Sequence, residues 1–286
     1  MNREPGQLFV VATPIGNLKD ITLRAIECLE RADLIAAEDT RRTRALLSHL
    51  GIRKRMISCN EHNEAEKASQ VLELLENGGS CVLVSDAGTP SLSDPGARMV
   101  EKIRREGFKV IPIPGPSAVA AALSVSGFYA GSFHFAGFLP SKSGERRKRL
   151  KELANVETTL IFFEAPHRLM KCLQDMLSVL GDRRIFLARE MTKCHETYIV
   201  STISELMSLL QHEKVRGELT LVVEGPKGSK KERFDVVSLE TVLECLLGNK
   251  HLSVKEASTA ISKMAGISRG TVYDLALGIL EEKDNG

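Results

Sequence analysis

The sequence predicts an α/β protein of two α/β domains followed by a small helical module of helix-turn-helix outline. Three observations carry the prediction. Through residue 118, short apolar runs alternate with amphipathic helical segments. From 119 to 225, strand-like runs follow one another with few helices between them. After a polar, basic linker at 226–233, only helical spacing remains over 234–286.

Taken in order, Leu8–Thr13 (LFVVAT) is a buried strand, and Thr22–Ala32 shows helical spacing through Leu23, Ile26, Leu29 and Ala32. Leu34–Ala37 is a second strand, ending at Glu38-Asp39. Thr43–Leu50 is helical and Met56–Cys59 extended. Glu64–Asn77 is an amphipathic helix with Ala65, Ala68, Val71, Leu72 and Leu75 on one side, stopped by Gly78-Gly79. Cys81–Ser85, Ala97–Glu106 and Lys109–Ile113 continue as strand, helix and strand, the rhythm of a largely parallel sheet. Ser117 is placed to cap the small-residue helix AVAAAL that opens the second domain.

In that domain Phe133–Phe138 reads as a strand, Phe138–Lys142 as a flexible loop and Lys142–Leu153 as a strongly basic segment. Thr158–Phe163 is a strand and Leu169–Leu180 a helix. Arg184–Arg189, Glu196–Ser201 and Glu218–Glu224 are further strands, with a helix at Ser204–Gln211. Sparse helices imply an antiparallel or mixed sheet. In the tail, Val237–Leu247 and Val254–Met264 are helical, and a turn around Gly266 leads to a last helix opened by Ser268-Arg269-Gly270-Thr271. The outline suits a helix-turn-helix and equally a small bundle with no nucleic-acid role.

Composition excludes several classes. With 286 residues, 43% hydrophobic and 27% charged, the chain reads as a soluble globular protein. No apolar run approaches the roughly 20 residues of a membrane span. The N-terminal apolar stretch is too short for a signal peptide, so a cytoplasmic protein is expected. Six cysteines show no C-x-x-C pair, and the histidines do not cluster, so no metal centre or disulfide framework is expected. A net charge of +2 leaves any nucleic-acid affinity to local patches.

Nucleotide and hydrolase motifs are missing, G-x-G-x-x-G, G-x-x-x-x-G-K-[ST] and G-x-S-x-G among them. Instead three Pro/Gly loops follow three strands: Thr13–Leu18 (TPIGNL), Val84–Gly96 (VSDAGTPSLSDPG) and Ile111–Ala118 (IPIPGPSA). Prolines stiffen such loops and glycines let backbone approach a ligand. At the carboxyl edge of a parallel sheet they describe a pocket for a polar small molecule.

Glu38–Arg44 (EDTRRTR) mixes acids with Arg41, Arg42 and Arg44. It reads either as a phosphate-binding segment or as a charged helix start. Glu145–Lys151 (ERRKRLK), with Arg146, Arg147, Lys148 and Arg149, reads as a solvated helix face or, taken with Arg53-Lys54-Arg55 and the basic linker, as a surface for a phosphate-rich partner. Phe162–Arg168 (FFEAPHR) and Arg189–Lys193 each place charged groups at a strand end.

In this order, ATPIGNL, EDTRRTR, SDAGTPSLSDPG, PGPSA, FFEAPHR and AREMTK resemble the tetrapyrrole-methylase superfamily. Within it they are similar to the bacterial branch that 2′-O-methylates the decoding-centre cytidine numbered 1402 of 16S ribosomal RNA. The resemblance implies two α/β domains of the tetrapyrrole-methylase type with S-adenosyl-L-methionine in the cleft between them. It further implies a homodimer, and 16S rRNA, within the small ribosomal subunit, as partner. Carried over by motif, cofactor contacts fall on Pro14, Asp86, Gly88, Thr89, Ser117, Ala118 and Ala165, and RNA contacts are expected from the arginines and lysine of the two basic segments. Glu38, Asp39, Glu164 and Glu190 are candidate proton acceptors, with Glu164 and Glu190 preferred as catalytic; Arg41, Arg168, Arg189 and Lys193 are candidate electrostatic stabilisers. Rival readings are a superfamily methyltransferase acting on a tetrapyrrole or other small molecule, one methylating a modified histidine on a translation factor, and a non-enzymatic RNA-binding adaptor.

Overall fold

The computed structural model describes residues 6–226, 253–265 and 268–284, together with Leu243. The chain divides into two compact units, 1–225 and 226–286.

In the first unit a parallel five-stranded sheet is built from β1 (Gln7–Val11), β2 (Leu34–Ala37), β3 (Met56–Ser58), β4 (Ser80–Val84) and β5 (Lys109–Ile113), in the order β3-β2-β4-β1-β5. Every pairing is parallel, β1 lying between β4 (Leu8 opposite Cys81) and β5 (Leu8 opposite Val110). Helices α1 (Leu23–Arg31) and α2 (Thr40–His49) cover one face, where Ala25, Leu29 and Leu47 meet Val11, Ile35, Val82 and Ile113. Helices α3 (Glu64–Glu76) and α4 (Ala97–Arg105) cover the other, where Ala68, Val71, Leu75, Met99 and Ile103 meet Leu8, Ala36 and Leu83. Both faces are buried, which is why these strands read as continuous apolar runs rather than alternating ones.

The second sheet takes β6 (Phe133–Phe138), β7 (Thr159–Glu164), β8 (Arg184–Arg189), β9 (Thr197–Thr202) and β10 (Leu219–Val223), in the order β6-β7-β10-β8-β9. It is mixed, as its sequence texture implies. β6 and β7 run parallel across a bulge at Phe135–Gly137, and the other pairings are antiparallel. On one face α6 (Ser143–Ala154), α7 (Leu169–Leu180) and α8 (Ile203–Leu210) bury Leu150, Leu153, Leu173, Met176 and Leu206 against Leu160, Phe162 and Leu221. On the other face lies α5 (Ala118–Ser126), whose Val119, Ala122 and Leu123 pack on Ile161, Phe186, Ala188 and Val222. Ile15, from the loop after β1, joins the same cluster, so the seam between the sheets is a hydrophobic core in its own right.

Two local readings change. Helix α2 begins at Thr40 rather than Thr43, because Asp39 caps it by accepting from the Arg41 N–H at 2.8 Å. The Phe138–Lys142 loop is tied down. The Leu139 carbonyl accepts from Arg168, and the Pro140 and Ser141 carbonyls accept from Arg146 at 3.1 and 2.9 Å.

In the second unit, helices Val254–Ala265 and Arg269–Asp284 enclose Ala257, Ile261, Val272 and Ala276 together with Leu243. Ser253 and Glu256 form a capping box at the first helix, and Ser268 caps the second by accepting from the Thr271 N–H at 3.2 Å. The remainder of the expected helix Val237–Leu247, the linker beyond Pro226 and the turn at Gly266 lie outside the described residues.

Candidate functional site

Because all five strands of the first sheet run the same way, the loops after β1, β2, β4 and β5 gather at one edge. Backbone hydrogen bonds join them directly. Thr13 and Gly88 exchange N–H···O bonds of 2.9 and 3.0 Å, and the Ala12 N–H donates to Ile113 at 3.3 Å. The Thr89 hydroxyl donates to the Pro116 carbonyl at 3.3 Å, and the Thr13 hydroxyl to the Ser85 carbonyl at 3.3 Å. Ser117 caps α5 by accepting from the Ala120 N–H. Pro14, Asp86, Gly88, Thr89, Ser117 and Ala118 are thereby brought to one place. Ala165 stands at the carboxyl end of β7, two residues beyond Phe163, which packs, as Ala118 does, against the seam cluster.

The β2 loop locks onto the β4 loop by reciprocal bonds. The Asp86 N–H donates to Glu38 at 3.1 Å and the Asp39 N–H donates to Asp86 at 3.0 Å, while Arg42 lies 3.5 Å from the second Asp86 oxygen. Burial, then the neighbouring Asp86 charge, raises the Glu38 carboxyl above its ordinary range, against the Asp86 N–H bond that lowers it. Asp39 is held down at about 2 by its hydrogen bonds from Arg41. Below this edge, buried Glu64 of α3 accepts from the Gly96 and Met99 N–H groups at 3.1 and 2.9 Å, satisfying the first turn of α4 and anchoring the end of the 86–96 loop.

Across the seam, the loop after β8 meets the loop after β1. A Cβ on Gly16 would lie 2.6 Å from Lys193 Cγ and 2.7 Å from Thr192 Oγ1, so only glycine fits this approach. Glu190, in left-handed backbone at φ 53°, accepts from Lys193 Nζ at 2.7 Å and from the Glu218 N–H at 2.9 Å. The Lys193 bond chiefly lowers the Glu190 carboxyl. Burial opposes the Lys193 charge, but Glu190 and Glu218 outweigh it and raise Lys193.

Both preferred catalytic carboxylates, Glu164 and Glu190, are engaged by neighbouring groups. The Glu164 side chain is fully buried. Its carboxylate accepts from the Ala165 N–H at 2.7 Å and pairs with Arg168 at 3.1 Å. It belongs to the α7 side of its sheet, where it raises the neighbouring Cys172 thiol further after burial has done so. Glu190 is half-buried and pairs with Lys193 at 2.7 Å on the seam.

Of the expected RNA contacts, Arg41, Arg42, Arg44, Arg147 and Lys148 are exposed and Arg149 is half-buried beside Glu152. Arg146 is not a surface residue. It is 3% exposed and donates to Asp175 of α7 at 2.8 and 2.6 Å. Its position four before Leu150 and seven before Leu153 puts it on the inward stripe of α6, a periodicity readable in the sequence. Gly16 and Thr192 lie in segments that the sequence singles out, TPIGNL and AREMTK, but nothing in their spacing marks the close approach they make across the seam.

The loops suit a sulfonium cofactor. Ser91 Oγ and Thr192 Oγ1 are buried without a hydrogen-bond partner, and Glu38 and Asp86 bring carboxylates to the same strand edge. Among the described residues no group of acids, histidines or cysteines could hold a metal ion, and no helix is long and apolar enough to cross a membrane.

Residues 7–207 match the family of Tetrapyrrole (Corrin/Porphyrin) Methylases. The chain belongs to this family. Ribosomal RNA small subunit methyltransferase I of Haemophilus influenzae is 44% identical over 280 residues, covering 97% of this chain and 98% of that protein. The protein of the same name from Thermotoga maritima is 47% identical over 220 residues, which cover 77% of this chain and 99% of that one. Among solved structures, a cobalt precorrin-4 methyltransferase covers 76% of this chain and 94% of its own at 17% identity and a TM-score of 0.57. The uroporphyrin-III C-methyltransferase of Thermus thermophilus, complexed with S-adenosyl homocysteine, covers 77% and 97% at 18% identity and a TM-score of 0.56. These last two share the fold.

Proposed function

We propose that this protein transfers a methyl group from S-adenosyl-L-methionine to the ribose 2′-hydroxyl of the decoding-centre cytidine in 16S rRNA of the small ribosomal subunit. End-to-end similarity to small subunit rRNA methyltransferases carries the reading, since 97% of this chain is matched to one of them. The resemblance of the ordered motifs from ATPIGNL to AREMTK to the cytidine-2′-O-methylating branch supports a cytidine 2′-hydroxyl as the acceptor. The tetrapyrrole reading has the family's description and solved structures at 17% and 18% identity behind it.

Pro14, Asp86, Gly88, Thr89, Ser117 and Ala118 hold the cofactor from the first sheet and Ala165 from the second. When bound, it supplies an electrophilic methyl carbon on a sulfonium. The braced loops fix the acceptor's approach, because displacement at that carbon requires the three reacting atoms in line. Lys193, tethered by Glu190 and Glu218, sets positive charge on the seam where an alkoxide develops. Glu164 acts at one remove, holding Arg168 and the Ala165 N–H in place. Arg41, Arg42, Arg44, Arg147, Lys148 and Arg149 take the RNA backbone. The protein works in the cytoplasm as a homodimer, which light scattering of the purified chain checks.

The test incubates the protein with methyl-labelled S-adenosylmethionine and small ribosomal subunits, free 16S rRNA, tetrapyrroles or no acceptor. Labelled 2′-O-methylcytidine after nuclease digestion of the RNA is expected. Label in a tetrapyrrole, or cofactor binding with no labelled RNA, overturns the proposal.

A further inference from the structure

Among the described residues, the aromatic rings left open to solvent are Tyr129, Phe133, Phe138, Tyr198 and Tyr273. Tyr129 and Phe133 belong to the amino end of β6, Tyr198 to the far outer strand β9 and Tyr273 to the second unit. Phe138 instead closes the carboxyl end of β6, where parallel β7 runs out toward Ala165.

The bulge in β6 decides which way that ring faces. Along β7, Leu160 and Phe162 join the core under α6 and α7, whereas Ile161 and Phe163 join the seam. Phe135 lies opposite Ile161, and the extra residue of the bulge then brings Phe138 opposite Phe163. Strict alternation would have turned Phe138 to the α6 side. Both rings meet Phe163 edge-to-face, with centroids 4.9 and 5.6 Å away and planes 65° and 61° apart. Phe135 is spent on the seam cluster, but Phe138 keeps 55% of its surface in solvent.

The ring stands on fixed backbone. Gly137 (φ 64°) and Leu139, on either side of it, are buried. A Cβ on Gly137 would lie 2.8 Å from Ser93 Oγ, in the 86–96 loop that brings Asp86, Gly88 and Thr89 to the pocket. The Leu139 carbonyl accepts from Arg168, and the next two carbonyls accept from Arg146. An aromatic side chain held this way has little freedom left to lose when a ligand arrives. Just beyond it, Lys142, Arg147 and Lys148 are exposed.

We propose that Phe138 is the stacking platform for the base of the acceptor nucleotide, a role that rests on the function proposed above. A nucleotide whose ribose enters a pocket leaves its own stack, and its base then needs a new partner. An aromatic face serves any base, while cations beside it take the phosphates. Phe138 joins those two parts, with a pocket loop against Gly137 and the exposed cations of α6 following in the chain. The cofactor's adenine is the other flat ring to consider. β6 is an outer strand that leads directly into those cations, which favours the RNA base.

The test compares Phe138→Leu, which keeps apolar bulk on Phe163 without a flat face, with Phe138→Tyr, which keeps the face. Methyl transfer is followed on small subunits reconstituted with intact 16S rRNA or with 16S rRNA carrying an abasic ribose at the acceptor position. On intact RNA, Phe138→Leu should lose roughly 5- to 150-fold in kcat/KM, the worth of one base stacked on an aromatic ring. Phe138→Tyr should keep most of the rate. The abasic acceptor should slow the unaltered protein, and on it Phe138→Leu should cost nothing more, because both changes remove one contact. Cofactor affinity by calorimetry, mass in solution by light scattering and melting temperature should be unchanged in both variants. A Phe138→Leu protein that keeps pace on intact RNA, an equal loss on both acceptors, or unslowed transfer to the abasic ribose overturns the assignment. So does a matching loss of cofactor affinity, which gives the ring to adenine, or a change of mass, which gives it to a contact between copies. If the unaltered protein methylates no small-subunit RNA, the proposed function falls and this role with it. If it does and Phe138→Leu keeps pace, only the role of Phe138 falls.

Discussion

Two arginine-rich segments, 38–44 at the start of α2 and 145–151 within α6, hold three arginines each and do different work. In the first, Arg41 and Arg42 stay at the surface and lean on Asp39 and Asp86, so their guanidiniums border the pocket edge. In the second, Arg146 turns inward and staples α6 to α7 and to the Pro140 and Ser141 carbonyls, leaving Arg147 and Lys148 outside. Charge count is thus a poor guide to partners. Helical register decides which cation meets solvent and which meets the core.

The contrast breaks most visibly at Arg146. Arg146→Ala strands the buried Asp175 carboxylate, and urea unfolding should show a loss of about 3–5 kcal/mol. If this variant unfolds like Arg147→Ala, the two segments are alike after all. Next in size is Gly16→Ala, which forces a methyl against Lys193 and Thr192. It should cost about 1–3 kcal/mol of stability and weaken cofactor binding measured by calorimetry, while leaving salt-dependent RNA binding unchanged. The paired change Arg147→Ala with Lys148→Ala should shift stability by less than about 0.5 kcal/mol for each residue. It should, however, lower the slope of log RNA affinity against log salt concentration by roughly one for each charge removed. Smallest is Arg41→Ala. Asp39 should then titrate nearer the ordinary 3.8 instead of about 2 when followed by NMR. Because its folded value is depressed, whatever stability the pair adds is present above pH 3.8 and disappears as pH falls through about 2.

Much of the fold was legible because its signals are local. Both faces of the parallel sheet are covered, so its strands announce themselves as apolar runs, and Thr22, Ser117 and Gly78-Gly79 mark helix ends by chemistry that acts within a turn. The three Pro/Gly loops were legible for the same reason. What the sequence hid is long-range. The Glu164–Arg168 lock depends on which side of β7 faces α7, and the reciprocal bonds of Glu38 and Asp39 with Asp86 join positions 48 and 47 residues apart. Arg146 is the exception, a misreading that its own spacing to Leu150 could have prevented.

Helix α5 starts on the pocket at Ser117 and then spends its apolar face on the second sheet, beside Ile15 from the first. As the chain emerges from the ribosome, the loops after β1, β4 and β5 come out early. Ile161, Phe186, Ala188 and Val222, the surface α5 needs, come up to about a hundred residues later. A half-made chain consequently has the loops but not the seam that holds them, so it has no reason to capture cofactor before β10 is in place. Ligand binding should then raise the melting of residues 1–225 as one cooperative step, with no earlier transition for the first sheet alone.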